Sequence, residues 1–162
     1  MPDPQALHIH VTVDPLPHEI ADVMSIMALA FQPEYGEAWS TAQLTSMMAL
    51  PGAMLAIGRV GGKPAGFGLL RSIAGEAELL LLAVHPDLRG HSHGHRLLDR
   101  CMSEAEGSGA EIMFLEVRSG NPAIHLYRKV GFRQYNVRPN YYLGNNGDRH
   151  DALSFKIVLG QT

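Results

Sequence analysis

The sequence predicts an α/β fold, a mixed and mostly antiparallel sheet of about seven strands with about four helices, in one domain over residues 1–162. Two observations carry this. From Leu79 to Phe132 the chain reads as an apolar strand (Leu79 to Val84), a turn (His85 to His95) and a helix (Arg96 to Glu106). A second strand (Ile112 to Arg118) and a second helix (Asn121 to Val130) follow, closed by Gly131. Strand, loop and helix twice over form a βαβα unit, which implies a parallel or splayed strand pair with a ligand site at its carboxyl end. Ahead of it, AMLAIGRV (Ala53 to Val60), Gly61-Gly62, KPAGFGLLRSI (Lys63 to Ile73), Ala74-Gly75 and EAELLLLAV (Glu76 to Val84) read as an antiparallel meander.

The remaining elements follow from periodicity. Leu7 to Val13 alternates, with Leu7, Ile9, Val11 and Val13 on one face, the pattern of a half-buried strand. From His18 to Phe31 the residues Ile20, Val23, Met24, Met27, Ala28 and Phe31 recur at helical spacing, with Pro17 suited to the first turn. Ser40 and Gln43 make a capping-box pattern for a short helix that turns Leu44, Met47 and Met48 inward and stops at Pro51-Gly52. Gly66 and Gly68 weaken their strand unless something packs closely against it. Phe132 to Arg138 is expected as a strand, Asn140 to Asp151 as a long polar loop, and Ala152 to Leu159 as the last strand. The proline-rich Met1 to Gln5 is expected to fray.

Bulk numbers narrow the function. In 162 residues, 46% are hydrophobic and 18% charged, enough for a sizeable core. Thirteen Lys plus Arg against sixteen Asp plus Glu give a net charge of -3, without a basic run to grip a phosphate backbone, so nucleic acid is disfavoured as a partner. A single cysteine, Cys101, forms no internal disulfide and suits a reducing compartment. No secretory signal is apparent and no apolar run approaches a membrane span, so the expectation is a cytoplasmic protein without a membrane partner.

The turn between Val84 and Arg96 is the chemical clue. A strand, a short turn of small residues and a helix direct backbone N–H groups and the positive end of the helix dipole at one spot, which suits a phosphate. The spacing Arg89, Ser92, Gly94 by itself leaves an ordinary βα turn equally open. His91, His93 and His95 alternate through the same turn, with His85 upstream. Alternate spacing at a helix start splays the three rings and no carboxylate or cysteine partner is expected close by, so no metal is expected; they read as solvent-facing residues that add partial positive charge. If they contact phosphates, ligand affinity should rise as pH falls from 8 to 6.

The order of the motifs goes further. Val84, Pro86, Arg89 and Gly90, then LEVR-S-x-N (Leu115 to Ser119, Asn121), then Leu126, Tyr127, Gly131 and Phe132 resemble the GNAT superfamily of acetyl-CoA-dependent N-acetyltransferases. Arg138, Asn140, Tyr141 and Tyr142 with Asp151-Ala152 downstream resemble the protein N-terminal acetyltransferases, most of all the bacterial type acting on the N-terminal alanine of a small-subunit ribosomal protein. The resemblance implies the GNAT fold, splayed at the cofactor crevice, and acetyl-CoA lying along Leu82, Ala83 and Val84. It places the cofactor's phosphates at Arg89, Gly90, His91, Ser92, His93, Gly94 and His95, and its arm at Asn121 and Tyr127. The Val84 N–H is the expected polariser of the acetyl carbonyl. The family pattern has glycine where Ser92 stands; a serine with ordinary torsions at the helix start is expected to keep the phosphates within reach.

Acyl transfer to an amine asks for a base, since an α-amine of pKa roughly 7.7 to 8.0 is mostly protonated at neutral pH. On strand alternation Ile112, Phe114 and Glu116 share one face, which sets a carboxylate at an apolar strand's end, where burial is expected to raise its pKa. The resemblance implies Glu116 as base and Tyr127 as the acid for the departing thiolate; Glu78 is the reserve candidate for the base. An ion pair of Glu116 with Arg118 or Arg138 is the structural alternative. Tyr127 also reads as a core residue with Ile124 and Val130, Asn121 as an N-cap, and Cys101 as core on its helix stripe. His125 and Arg128 read as solvent-facing. The resemblance puts Trp39 beside the acceptor channel and makes Arg138, Tyr141 and Tyr142 acceptor-binding; on the residues alone Trp39 and Tyr35 plug a loop, and Asp148 or Asp151 caps one. The acceptor is thus a protein or peptide N-terminus, a small amine, or nothing at all in a CoA-binding module without turnover.

Overall fold

The computed structural model describes residue 3 and residues 5–160. The expectation of fraying concerns in part Met1, Pro2 and Pro4, which lie outside the described residues. In chain order the elements are β1 (Leu7–Thr12), α1 (Pro17–Ala30), a 3-10 turn (Pro33–Tyr35), α2 (Thr41–Met48), β2 (Ala53–Val60), β3 (Lys63–Ile73) and β4 (Glu76–Val84). A second 3-10 turn (Pro86–Leu88), α3 (His93–Gly107), β5 (Ile112–Arg118), α4 (Ala123–Val130), β6 (Arg133–Leu143) and β7 (Arg149–Val158) complete them. The strands form one sheet in the order β1-β2-β3-β4-β5-β7-β6. Its one parallel pair among the described residues is β4 with β5, as the βαβα reading requires.

Helices cover both faces. On β2, Ala53, Leu55 and Ile57 pack with Val23, Ile26, Met27, Leu44 and Met48 of α1 and α2, while Met54 and Ala56 join Leu97, Leu98, Cys101 and Ala105 of α3. Gly66 and Gly68 are where α3 presses on the sheet. A Cβ on Gly68 would stand 2.5 Å from Cys101 Sγ, and one on Gly66 would stand 2.6 Å from the Ala83 carbonyl oxygen and 2.9 Å from Leu97. Cys101 is core as expected, and burial pushes its thiol up to about 12. No helix among the described residues is long and apolar enough to cross a membrane.

A feature that periodicity does not reveal opens the sheet. Leu70 pairs with Leu79 but Leu69 with Leu81, so Leu80 is the extra residue of a bulge in β4. The bulge turns Leu79 to the α3 side and Leu81 to the α1 side, two positions that simple alternation would put on one face. Parallel pairing runs from Glu76↔Ile112 to Leu79↔Leu115 and stops there. Beyond it β4 follows β3 and β5 follows β7, so the two strands diverge into a wedge.

Several boundaries differ from expectation. Val13 lies past the end of β1 and is 66% exposed, because the Pro15-Leu16-Pro17 segment leads the chain into α1. In α1 it is Ile26 that is buried and Ala28 that is exposed. The third helix begins at His93 rather than Arg96, and the fourth at Ala123 rather than Asn121. The expected long loop from Asn140 to Asp151 is mostly strand: pairing breaks after Arg138↔Ala152 and resumes at Tyr142↔His150, leaving Gly144 to Asp148 as the turn. Pro139 is tolerated because β6 is the edge strand. Asn140, in the left-handed region at φ 57, is held by its N–H donating to Asp151 Oδ1 at 3.0 Å, so Asp151 does pin this segment.

Candidate active site

The wedge between β4 and β5 continues into a cleft of about 720 Å³ that reaches the N-terminus of α3. Leu82, Ala83, Val84, Arg89, Gly90, Ser92, His93, Gly94, His95 and Asn121 line it, so nine of the ten residues expected beside the cofactor's strand and phosphates are brought together with Asn121 of its arm. His91 is the exception; it is exposed and outside the lining. A second pocket of about 60 Å³ adjoins the first and shares Phe31, Glu37, Leu82, Asn121 and Ala123 with it. Glu116, Tyr127, Trp39 and Tyr142 line this smaller pocket; Arg138 and Tyr141 line neither.

The turn is made of backbone. The first intrahelical bond of α3 runs from Arg96 N–H to the Ser92 carbonyl at 3.1 Å, so the N–H groups of His93, Gly94 and His95 precede it and are the donors that helix geometry leaves for an outside acceptor. Ser92 does not have ordinary torsions: at φ 63, ψ 18 it is left-handed, the conformation that explains the family's glycine, and its hydroxyl makes no capping bond. Arg89 donates from Nη2 to the Ala30 carbonyl at 3.4 Å, tying the turn to the end of α1.

The histidines are not all solvent-facing. His93 is buried, and its Nδ1 has no hydrogen-bond partner. Burial first, then His91 and Arg96, lowers its pKa, so it sits there neutral. His95 does meet a carboxylate, Asp99 at 3.3 Å one helical turn on, which sequence proximity had not suggested.

The other end of the cleft is made of charged side chains. Glu116 is half-buried, at 22% side-chain exposure, and its Oε1 is 2.9 Å from Arg138 Nε. It is thus held by an ion pair rather than isolated among apolar groups, and the partner is Arg138, not Arg118. Nearby, burial first and then Glu116 raise the Glu78 carboxyl above its ordinary value, with Arg138 and Arg71 opposing. Tyr127 is buried against Phe132, ring centroids 5.8 Å apart, and burial above all holds its phenol well above the usual range. It is core and pocket lining at once, so it presents an O–H rather than a phenolate. Tyr142 is raised in the same way, with Glu37 and Glu116 adding to burial.

Sequence reading missed Glu37 and the role of Arg118. Arg118 is buried and donates from Nε to Glu37 Oε1 at 3.0 Å, while its guanidinium stacks on the Tyr35 ring at 3.7 Å. Asn121 donates from Nδ2 to Glu37 Oε2 at 2.9 Å and accepts the Ala123 N–H at 2.9 Å, one residue before Pro122, which is the N-cap of α4 in its place. No periodicity links Glu37 to residues 81 and 84 positions away.

The backbone donors, the neutral His93 and the open edge of β4 fit an extended ligand with phosphates at one end and a reactive group at the other. Comparison with known proteins points the same way. A model of the acetyltransferase (GNAT) family matches residues 20–132. A [ribosomal protein bS18]-alanine N-acetyltransferase of Haemophilus influenzae is 34% identical over 94 residues, 58% of this chain and 64% of that protein, so the match spans a little under two thirds of the relative. The crystal structure of the ribosomal-protein-S18-alanine N-acetyltransferase from Escherichia coli superposes with a TM-score of 0.80 at 26% identity, over 96% of both chains. The yncA protein of Salmonella typhimurium, solved with its cofactor acetyl-CoA, shares the fold at 20% identity and a TM-score of 0.72, over 97% of this chain and 96% of that one.

Proposed function

This chain belongs to the acetyltransferase (GNAT) family, and from that premise we propose that it transfers the acetyl group of acetyl-CoA to a protein or peptide N-terminal amine, of the ribosomal protein bS18 alanine type. One observation carries the reading: Glu116 and Tyr127, a carboxylate and a protonated phenol, line one small pocket at the inner end of a cleft whose outer end is a bare helix N-terminus.

When bound, acetyl-CoA supplies an acetyl group activated as a thioester. The chain's own residues do the rest. The N–H groups of His93, Gly94 and His95 and the α3 dipole hold the phosphates. Glu116 takes the proton from the acceptor ammonium, and Arg138 keeps its carboxylate oriented for that task. Tyr127 keeps its proton at neutral pH and offers it to the leaving sulfur.

The test is mass spectrometry of an Ala-initiated peptide, an N-terminally blocked lysine peptide and small amines, each incubated with acetyl-CoA. Acetylation at the free α-amine of the Ala peptide is the expected outcome. Products from small amines alone, or CoA binding without any product, would overturn it.

A further inference from the structure

Glu37 lies between α1 and α2, where a glutamate ordinarily reaches into solvent. Here its side chain keeps only 10% of its exposure. A carboxylate withdrawn from water is costly unless its oxygens are satisfied, and both are. Oε1 accepts from Arg118 Nε at 3.0 Å and Oε2 from Asn121 Nδ2 at 2.9 Å. Glu37 and Asn121 line both pockets, so the bond between them sits at the border of the cofactor cleft and the acceptor pocket.

Each bond fixes something the reaction needs. Asn121 Oδ1 accepts the Ala123 N–H at 2.9 Å, and a carboxylate can only accept, so one orientation of the amide satisfies both neighbours. Glu37 thereby decides which way Asn121 faces the cleft. Arg118 lies two residues beyond Glu116 on β5, on the same face by strand alternation. Without Glu37 its cation would keep only the Ser119 carbonyl and the Tyr35 ring, with no carboxylate of its own, and would compete with Arg138 for the Glu116 carboxylate. With Glu37 present each arginine has its own acid, Arg118 with Glu37 and Arg138 with Glu116.

The backbone aims this carboxylate inward. Gly36, left-handed at φ 68, sits against the Leu143 carbonyl with no room for a Cβ, and Gly144 likewise abuts the Glu34 carbonyl. Asn145 N–H donates to the Pro33 carbonyl at 3.1 Å, and Tyr35 meets the His150 ring edge-on at 5.3 Å. The 33–37 segment is thus fastened to the β6–β7 turn, and Glu37 leaves that fastening toward the wedge.

We propose that Glu37 is a positioning residue for acetyl transfer: it sets the orientation of Asn121 for the cofactor and keeps the Arg118 cation away from the acceptor amine and from Glu116. The kinetic arm of the test rests on the acetyl-transfer reading above; the binding arm does not.

Glu37→Gln should weaken CoA itself at least fivefold by calorimetry, because the new amide sets a donor against Arg118 or Asn121. In turnover it should raise KM for the Ala-initiated peptide at least fivefold as well as lower kcat. Glu37→Asp keeps the charge and should recover part of both losses. A purely structural role would lower the melting temperature and the active fraction while leaving Kd and KM where they were, and that result overturns the proposal.

Asn121→Asp supplies an independent arm. It puts two carboxylates face to face and should weaken CoA binding. Adding Glu37→Gln then gives the introduced carboxylate a donor, so the double variant should bind CoA more tightly than Asn121→Asp alone, reversing the sign that Glu37→Gln has in the native background. The same sign in both backgrounds overturns the proposal. If no amine is acetylated by the native protein while the sign still reverses, the acetyl-transfer reading fails and the role of Glu37 toward Asn121 stands.

Discussion

The two ends of the cleft are built from different materials. At the outer end, Gly90 to His95 offers mainly backbone: three N–H groups ahead of the first α3 hydrogen bond, and a residue at φ 63. At the inner end, Glu37, Arg118, Glu116 and Arg138 are four charges in two pairs, flanked by two tyrosines held protonated. Backbone donors have the same chemistry whatever side chain they carry, so the outer end should respond to substitutions through torsion and space. The inner end should respond through charge.

The sharpest break between the ends is expected at Glu116. Glu116→Gln is nearly isosteric and removes the charge, so it should lower kcat more than tenfold at neutral pH, a loss above about 1.4 kcal/mol in the transition state. KM for acetyl-CoA should change less than threefold, because the phosphate end is untouched. Steady-state kinetics with the Ala-initiated peptide decide it. A kcat within twofold of native places the base elsewhere and dissolves the contrast.

Legibility follows the same division. The outer end and most of the frame arise from local rules, so periodicity found the meander, the βαβα unit and the Ser40–Gln43 capping box, which closes at 3.1 and 2.7 Å. The inner end arises from contacts distant in sequence. Glu37 meets Arg118 and Asn121 only because the sheet brings three segments together, and no spacing encodes that. The Leu80 bulge was hidden because an unbroken leucine run is apolar on both faces, so a change of face leaves no mark in the pattern. The β6–β7 hairpin was misread because Pro139 and the polar residues from Gly144 on outweigh the strand preference of Tyr141 and Tyr142. At Ser92 a local rule misled: the residue type permits ordinary torsions, and only the turn's geometry forces φ 63.

Ser92→Gly tests the outer end. A left-handed torsion costs an L-residue roughly 1–2 kcal/mol, and glycine gives back roughly 0.5–1 kcal/mol through the freer unfolded chain. A net gain of about 0.5–1 kcal/mol is expected, which for a domain of this size raises the melting temperature by about 1–4 °C. CoA affinity should stay within twofold of native, since the N–H donors are unchanged. A lower melting temperature would mean that the Ser92 side chain holds the turn, and the outer end would no longer be a backbone device.

The smallest expected effect concerns Glu78, where charge acts on the fold rather than on the reaction. Burial and the neighbouring Glu116 raise its pKa from the ordinary 4.5, against the opposing pull of Arg138 and Arg71. The folded chain therefore holds this proton more tightly than the unfolded chain does. Its contribution to stability is complete below about pH 4.5 and is lost as pH climbs through the raised value. Glutamine is neutral throughout, so Glu78→Gln should match the native melting temperature near pH 4 and exceed it modestly at pH 7 to 8. Thermal unfolding across that range checks it, and an offset independent of pH would show that the substitution acts through packing. Glu78 lines neither pocket, so kcat should fall less than twofold. A loss equal to that of Glu116→Gln would make the two carboxylates one coupled base, with the chemistry spread along β4 as well as β5.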